Sequence, residues 1–185
     1  MADLFVALIH CPVLDRNGRI VTSAITSLDI HDIARSSRTF GVRAFFVVHP
    51  IAAQREFAAS LIEHWRIGYG RKFDGRRVEA LDRVEIVAEL DDAIASATRL
   101  AGARPLLVHT SARSEGGLDS NELRARLEAE EGPPLMAMLG TGFGMAPAMR
   151  ERADLAMAPI RGVDNYNHLS VRAAASIILD RLRGR

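Results

Sequence analysis

Short apolar runs alternate with longer segments of helical periodicity along most of this chain. The run at 4–9 is continuous rather than alternating, which is typical of a strand buried on both faces, and further strand-like apolar runs follow at 42–48, 84–87 and 105–108. Between them, hydrophobic residues recur at helical spacing, as in 29–40. Strands of about 5–6 residues alternating with helices of about 10–15 indicate βαβ crossovers. We therefore predict an α/β fold with a mostly parallel sheet covered by helices on both faces.

Two segments depart from this alternation. Asn17-Gly18 lies between the apolar pairs Val13-Leu14 and Ile20-Val21. Asn-Gly readily adopts the positive φ angles of a two-residue turn, so we predict a small hairpin there. The segment 66–77 is both glycine-rich and strongly basic, and we predict that it forms a mobile loop.

Ligands of parallel sheets bind beyond the carboxyl ends of the strands. That rule selects three loops of this chain, at 109–113, 139–144 and 160–170. The middle loop follows an apolar run and contains glycine at every second position from Gly140 to Gly144. Glycine has no Cβ, so the backbone of this loop can approach a flat ligand closely. An ordinary tight turn between a strand and a helix explains the glycines equally well.

The glycine spacing does not fit the common nucleotide signatures. The dinucleotide pattern G-x-G-x-x-G fails in both registers, because Met145 or Pro147 stands where its third glycine should be. A Walker loop is excluded, since Gly-Lys-Ser/Thr is absent from the sequence. These observations favour a ligand that needs close backbone contact without a phosphate cradle, such as adenosine attached to an amino acid.

Composition narrows the range of possible functions only slightly. The 185 residues predict a single domain, 1–185, with 48% hydrophobic and 25% charged residues. The net charge of +1 requires that any polyanion be bound by a local basic surface. Cys11 is the only cysteine, no membrane-spanning stretch or leader pattern is visible, and a cytoplasmic location is expected. The histidines share no metal-ligand spacing, so we predict no metal.

Three stretches resemble the motifs of SPOUT-class RNA methyltransferases, in the same order. Residues 29–42 resemble the first motif, N-x-G-x-x-x-R-T-A-x-x-F-G, with Arg35 at its arginine. The Gly140 turn followed by 158–162 is similar to the middle motif, and 167–175 resembles the closing signature N-x-S-V-x-x-A-A. The whole chain is similar to small bacterial members of this class that are related to tRNA guanine-N1 methyltransferase. Asp29 stands where the 2′-O-methylating branch has asparagine, so the methylated atom does not carry over.

The resemblance implies S-adenosylmethionine as the cofactor and a trefoil knot in the C-terminal part of the sheet. It also implies a homodimer through the first and last helices. The final helix is apolar on nearly every side, which is compatible with a subunit interface and equally with burial inside one chain. The implied cofactor residues are Thr110, Ser111, Leu139, Gly140, Thr141, Gly142, Gly144, Ile160, Gly162, Tyr166, Asn167, His168, Leu169 and Ser170.

The resemblance further implies an RNA substrate, tRNA or rRNA, modified at a base nitrogen or a ribose 2′-hydroxyl. Arg35 is the candidate for orienting the target, and Asp29 is a candidate catalytic carboxylate, although capping of the first helix explains Asp29 equally well. Two alternatives stay open: a non-catalytic RNA- or nucleotide-binding module, and a Rossmann-like enzyme that uses another nucleotide. The candidate RNA contacts are Arg38, Arg71, Lys72, Arg76 and Arg77.

Overall fold

The structure is a computed structural model that describes residues 1–67, 70–114, 116–164 and 166–185, except for the side chain of Arg71. The elements in chain order are β1 (Leu4–Ile9), β2 (Val13–Leu14), β3 (Ile20–Val21), α1 (Ser27–Thr39), β4 (Ala44–Val48), α2 (Ala52–Arg66), α3 (Gly70–Phe73), α4 (Gly75–Leu81), β5 (Val84–Val87), α5 (Leu90–Ala101), β6 (Leu106–His109), α6 (Ser120–Glu128), β7 (Leu135–Gly140), α7 (Pro147–Glu151), β8 (Leu155–Ala156) and α8 (Val171–Arg183).

Within these residues, six strands form one parallel sheet in the order β5-β4-β1-β7-β6-β8. β1 lies at the centre, where Ala7 is in register with Phe46 on one side and Met138 on the other. All six residues of β1 are buried, as a continuous apolar run predicts. The predicted α/β fold with a parallel sheet is confirmed.

Alternate residues of the central strand enter two separate cores, one on each face of the sheet. Leu4, Val6 and Leu8 pack into a cluster with apolar residues of α1, α2, α6 and α8. Phe5, Ala7 and Ile9 pack on the other face with α5 and α7. Helices therefore cover both faces, and the first cluster joins residues from Leu4 to Leu182.

The predicted hairpin is present, and it packs on the glycine turn that follows β7. β2 and β3 pair in antiparallel fashion around Gly18, whose φ is 77°. Leu14 donates its N–H to the Gly144 carbonyl at 2.9 Å and accepts from the Phe143 N–H at 3.0 Å. The hairpin thus holds the turn in place through backbone hydrogen bonds.

The mobile loop predicted at 66–77 is wrong for most of its length. Gly70–Phe73 forms α3 and Gly75–Leu81 forms α4, while residues 68 and 69 lie outside the described part of the chain. The Asp74 carboxylate accepts from the N–H groups of Arg76 and Arg77, which caps α4. The Arg77 guanidinium lies 4.3 Å from the centre of the Trp65 ring, so this segment is anchored to α2.

Thr26, not Asp29, is the N-cap of α1. The Thr26 hydroxyl oxygen accepts from the Asp29 N–H at 3.1 Å, and its hydroxyl donates to the Asp29 carboxylate at 2.7 Å. Asp29 therefore lies inside the first turn, where its negative charge also favours the helix N-terminus.

The last helix, α8, packs on α1 and α6. It buries Ala175, Ile178, Leu179 and Leu182, whereas most of its other residues are only half-buried or exposed. Burial within one chain therefore accounts for one side of α8 only. Among the described residues, no helix is both long and apolar enough to cross a membrane.

Candidate functional site

A cavity of 770 Å³ opens at the carboxyl edge of the sheet, between the loops that follow β6, β7 and β8 and the start of α8. We call this cavity the cup. Its wall is completed by the segment between the hairpin and α1. The lining residues are Ser23, Ala24, Thr26, Asp29, Thr110, Ser111, Ala112, Arg113, Leu139, Gly140, Thr141, Gly142, Phe143, Gly144, Met157, Ala158, Pro159, Ile160, Asn167, His168, Leu169, Ser170, Val171, Arg172, Ala174 and Ile178.

Side-chain hydrogen bonds connect the loops of the cup to the sheet and to one another. The Thr110 hydroxyl donates to the Met138 carbonyl at 2.7 Å, and the Thr141 hydroxyl donates to the Ile9 carbonyl at 3.1 Å. The Asn167 amide reaches across the cup and donates to the Ala112 carbonyl at 3.1 Å. These bonds fix the relative positions of three loops that are distant in sequence.

The glycine turn owes its shape to backbone angles that other residues adopt with strain. Gly142 has a φ of 58° and Gly144 a φ of 110°. A Cβ on Gly142 would also lie 2.9 Å from the Leu14 carbonyl oxygen of the hairpin. The two glycines are therefore needed for the turn, and Gly142 also for its close contact with the hairpin, as the interpretation as a tight turn expects.

The structure brings together most of the residues that the resemblance implies for the cofactor. Twelve of the fourteen line the cup, and Gly162 and Tyr166 do not. Both of these are exposed, on the loop that leads to Asn167. The Tyr166 ring packs edge-on against the His168 ring, with 5.5 Å between their centres.

The two candidate catalytic residues lie in different environments. Asp29 lines the cup and is only 8% exposed. One of its carboxylate oxygens accepts from the Thr26 hydroxyl, and the other is 3.2 Å from Nη1 of Arg172. Arg35 is exposed on α1 and does not line the cup of its own chain.

The candidate RNA contacts are also divided. Arg38 pairs with Glu79 of α4, and Arg77 is held by Trp65 and, at 3.7 Å, by Asp74. Lys72 and Arg76 are exposed, and the side chain of Arg71 lies outside the described residues. Of the five candidates, only Lys72 and Arg76 are thus described as exposed side chains without an ion-pair partner among the described residues.

Two buried histidines lie beneath the wall of the cup that carries Ser23. The His49 Nδ1 accepts from the Ile51 N–H at 3.1 Å, so its Nε2–H donates to the Ser23 carbonyl at 3.0 Å. Burial lowers the pKa of His49, and burial together with nearby His49 lowers the pKa of His10 to about 4. Both rings are therefore neutral at pH 7. Among the described residues, no three His, Cys, Asp or Glu side chains converge as a metal site requires.

Sequence reasoning missed one wall of the cup and one charged group in it. Ser23, Ala24 and Thr26 precede α1, and Arg172 occupies a position that the N-x-S-V-x-x-A-A signature leaves unspecified. The available signal was the threonine before the first helix, which is a typical N-cap. Nothing in the sequence alone indicated that Arg172 faces Asp29, since the two are 143 residues apart.

Comparison with solved structures identifies the fold. The match to a protein from Neisseria gonorrhoeae that is assigned to a methylase family covers 100% of this chain and 83% of that protein, with a TM-score of 0.65 and 19% identity. The match to the SpoU methyltransferase AviRb from Streptomyces viridochromogenes, crystallised in complex with AdoMet, covers 97% of this chain and 56% of that protein. Its TM-score is 0.56 and the identity is 18%. The fold is that of SpoU-type methyltransferases.

The chain belongs to the family of SAM-dependent RNA methyltransferases, whose family model matches residues 3–184. The family membership and the cofactor implied by the sequence motifs are thereby confirmed. The chain is 42% identical over 182 residues to a tRNA (guanine-N(1)-)-methyltransferase of Nitratidesulfovibrio vulgaris, covering 98% of this chain but 42% of that protein. It is 37% identical to an uncharacterized protein of Aquifex aeolicus, covering 99% and 89%.

Proposed function

We propose that this chain binds S-adenosylmethionine in the cup and transfers its methyl group to RNA. The observation that carries the proposal is the convergence of three post-strand loops and the start of α8 around one cavity, in a chain whose family uses this cofactor. The acceptor atom is a base nitrogen or a ribose 2′-hydroxyl. We propose tRNA as the first substrate to test, because the relative from Nitratidesulfovibrio vulgaris is named for tRNA.

The residues present fit this cofactor. The volume of 770 Å³ lies within the range of about 300–1,000 Å³ that is usual for small-molecule sites. The glycine turn presents backbone N–H and C=O groups for adenine, Leu139 and Ile160 supply apolar contact, and Asn167 and Ser170 supply polar groups. We propose the twelve lining residues as cofactor contacts. Gly162 and Tyr166 are proposed to shape the loop behind Asn167.

The cofactor supplies an electrophilic methyl group on its sulfonium, and the residues of this chain place the acceptor and manage its proton. We propose Asp29 for the second role, because it is the carboxylate in the wall of the cup and a carboxylate retains acceptor sites beyond its contacts with Thr26 and Arg172. Arg35 is proposed to contact the RNA from outside the cup, on the exposed face of α1.

We propose further that residues 1–185 act as a single domain with a trefoil knot. The chain runs along the sheet edge in β8, where the Met157 N–H donates to the His109 carbonyl and the Ala158 N–H to the Leu118 carbonyl. It then turns back so that α8 packs against α1 and α6. This return past the described residues 110–114 and 116–118 supports a knot.

A homodimer through α1 and α8 is also proposed. Leu28 on α1 is 58% exposed and Leu169, just before α8, is 46% exposed. A second copy packed on these helices would cover both side chains and would bring an additional Arg35 to the assembly. A monomeric mass in solution at micromolar concentration would contradict this proposal.

The decisive experiment combines binding and transfer. Calorimetry should show binding of S-adenosylmethionine and S-adenosylhomocysteine, and NAD should give no signal. Transfer of labelled methyl groups to total RNA should be detected with the wild-type chain and should fall with Arg35→Ala. Tight NAD binding without a response to S-adenosylhomocysteine would end the proposal. Cofactor binding without incorporation into any RNA fraction would favour the non-catalytic binding module.

A further inference from the structure

Arg172 combines an unfavourable position in its helix with support from two carboxylates. It lies in the first turn of α8, two residues after the N-cap residue Ser170. The partial positive charge at a helix N-terminus disfavours a cation there. Two carboxylates of α1 offset this cost: Asp29 is 3.2 Å from Nη1, and Asp32 is 3.5 Å from Nε. The side chain is thus held in place by a helix that is 143 residues away along the sequence.

The support orients the guanidinium without using all its donors. A guanidinium carries five N–H groups, and the two α1 carboxylates contact it through Nη1 and Nε. No side chain in the described part of the chain accepts from Nη2. Arg172 lines the cup, and its side chain retains 37% exposure. A planar edge of donors is therefore accessible to a ligand in the cup.

The charge balance specifies how such a ligand would be recognised. Arg172 faces two carboxylates, so its surroundings carry no excess positive charge to attract anions from a distance. What the pair Asp29 and Asp32 provides is orientation, because a guanidinium fixed in one geometry loses less conformational entropy when it binds. A fixed guanidinium suits a group with two adjacent oxygens, such as a carboxylate or a phosphate.

We propose that Arg172 is an anion-binding residue of the cup, positioned by Asp29 and Asp32, and that it donates to an oxyanion of the reacting complex. This inference rests on the proposed function. The oxyanion has two sources there: the methionine carboxylate of the cofactor and a backbone phosphate of the RNA. Asp29 and Asp32 are positioning residues for Arg172, which gives Asp29 a task in addition to its proposed handling of a proton.

The test compares Arg172→Gln with Arg181→Gln, which removes an exposed arginine from the same helix outside the cup. Affinities for S-adenosylhomocysteine and for methylthioadenosine, which lacks the carboxylate, are measured by calorimetry. If the carboxylate is the partner, Arg172→Gln lowers the affinity for S-adenosylhomocysteine at least about tenfold and leaves the affinity for methylthioadenosine unchanged. If RNA phosphate is the partner, both small ligands bind as before, RNA affinity falls, and the salt slope decreases by about one.

Two further variants separate positioning from folding. Arg172→Lys keeps the charge without the planar fork and should recover only part of the affinity. Asp32→Asn removes one of the two carboxylates that hold Arg172. It should lower the affinity for the same ligand that Arg172→Gln affects, by a smaller factor. Ligand and RNA affinities of Arg172→Gln equal to those of Arg181→Gln would overturn the inference while leaving the proposed function intact. Absence of S-adenosylhomocysteine binding by the wild type would overturn both.

Discussion

His10 makes the stability of this protein sensitive to mild acid. Its side chain has no exposed surface, and its ring lies 5.3 Å from that of His49. Nδ1 is 3.3 Å from the Val48 carbonyl and therefore carries the proton, while Nε2 is buried with no partner among the described residues. Protonation of Nε2 would bury a charge without an acceptor, which is why the pKa falls to about 4.

The effect of pH on the free energy of unfolding follows from the difference between the pKa values of His10 in the folded and unfolded chain. Between about 4 and 6.5, His10 is neutral in the folded chain and protonated in the unfolded chain. The unfolded state then binds more protons, so stability is complete above pH 6.5 and is lost as the pH falls toward 4. At 1.36 kcal/mol per pH unit, the loss from His10 reaches about 2.5 kcal/mol at about pH 4.5.

The assay is urea unfolding of the wild type and of His10→Asn at about pH 7.5 and about pH 4.5. Asparagine can still donate to the Val48 carbonyl from its amide nitrogen, but it does not titrate. We expect the free energy of unfolding of the variant to change between the two pH values by about 2 kcal/mol less than that of the wild type. His64→Asn, on the exposed side of α2, should behave like the wild type. Equal losses in wild type and His10→Asn would refute the reasoning.

Three other predictions concern the cup and the RNA surface. Gly142→Ala should lower stability by more than about 2 kcal/mol, because positive φ and contact with the Leu14 carbonyl act together; chemical denaturation measures this. Asn167→Ala should lower the affinity for S-adenosylhomocysteine by about 3- to 10-fold in calorimetry, since it removes the hydrogen bond to Ala112 that joins two loops of the cup. Joint replacement of Lys72 and Arg76 by alanine should lower RNA affinity and reduce the salt slope by about two. The matched controls are Gly18→Ala, Asn121→Ala and Arg99→Ala with Arg126→Ala.

Each control isolates one cause. Gly18 also has positive φ but open space around its position, so an equal loss in Gly18→Ala and Gly142→Ala would remove the contact with the hairpin from the explanation. Asn121 lies outside the cup, and a similar effect of both asparagine variants would count against a role for the Asn167 bridge. RNA affinity that survives the Lys72 and Arg76 replacement would place the RNA surface elsewhere.

The sequence predicted the sheet well because its strands carry an unambiguous pattern. β1, β4 and β7 are continuous apolar runs, and they form the buried centre of the sheet. The segment 66–77 misled the prediction, because a cluster of glycines with many charged residues indicates an exposed loop. Its helices depend on contacts that composition does not reveal, namely the Asp74 cap and the packing of Arg77 on Trp65.

For the candidate site, motif resemblance selected the loops but not their partners. Asn167 and the Gly140 turn could be chosen from sequence because they lie in stretches that resemble motifs. Arg172 could not, because its significance comes from contact with Asp29 and Asp32 across the fold. The same holds for the hairpin, which the Asn-Gly pair predicted correctly as a local structure while giving no sign that it supports the glycine turn.

The walls of the cup come from residues as far apart in sequence as Ser23 and Arg172, which has a consequence for folding. Long chain segments must close before these walls meet, and contacts of such long range form slowly and late. The cup is then complete only in the fully folded chain, so a ligand in the cup stabilises the whole chain rather than one loop. At 100 times its dissociation constant, such a ligand adds about 2.7 kcal/mol to the free energy of unfolding. A thermal-shift screen would therefore report occupancy of the cup through the melting of the entire protein.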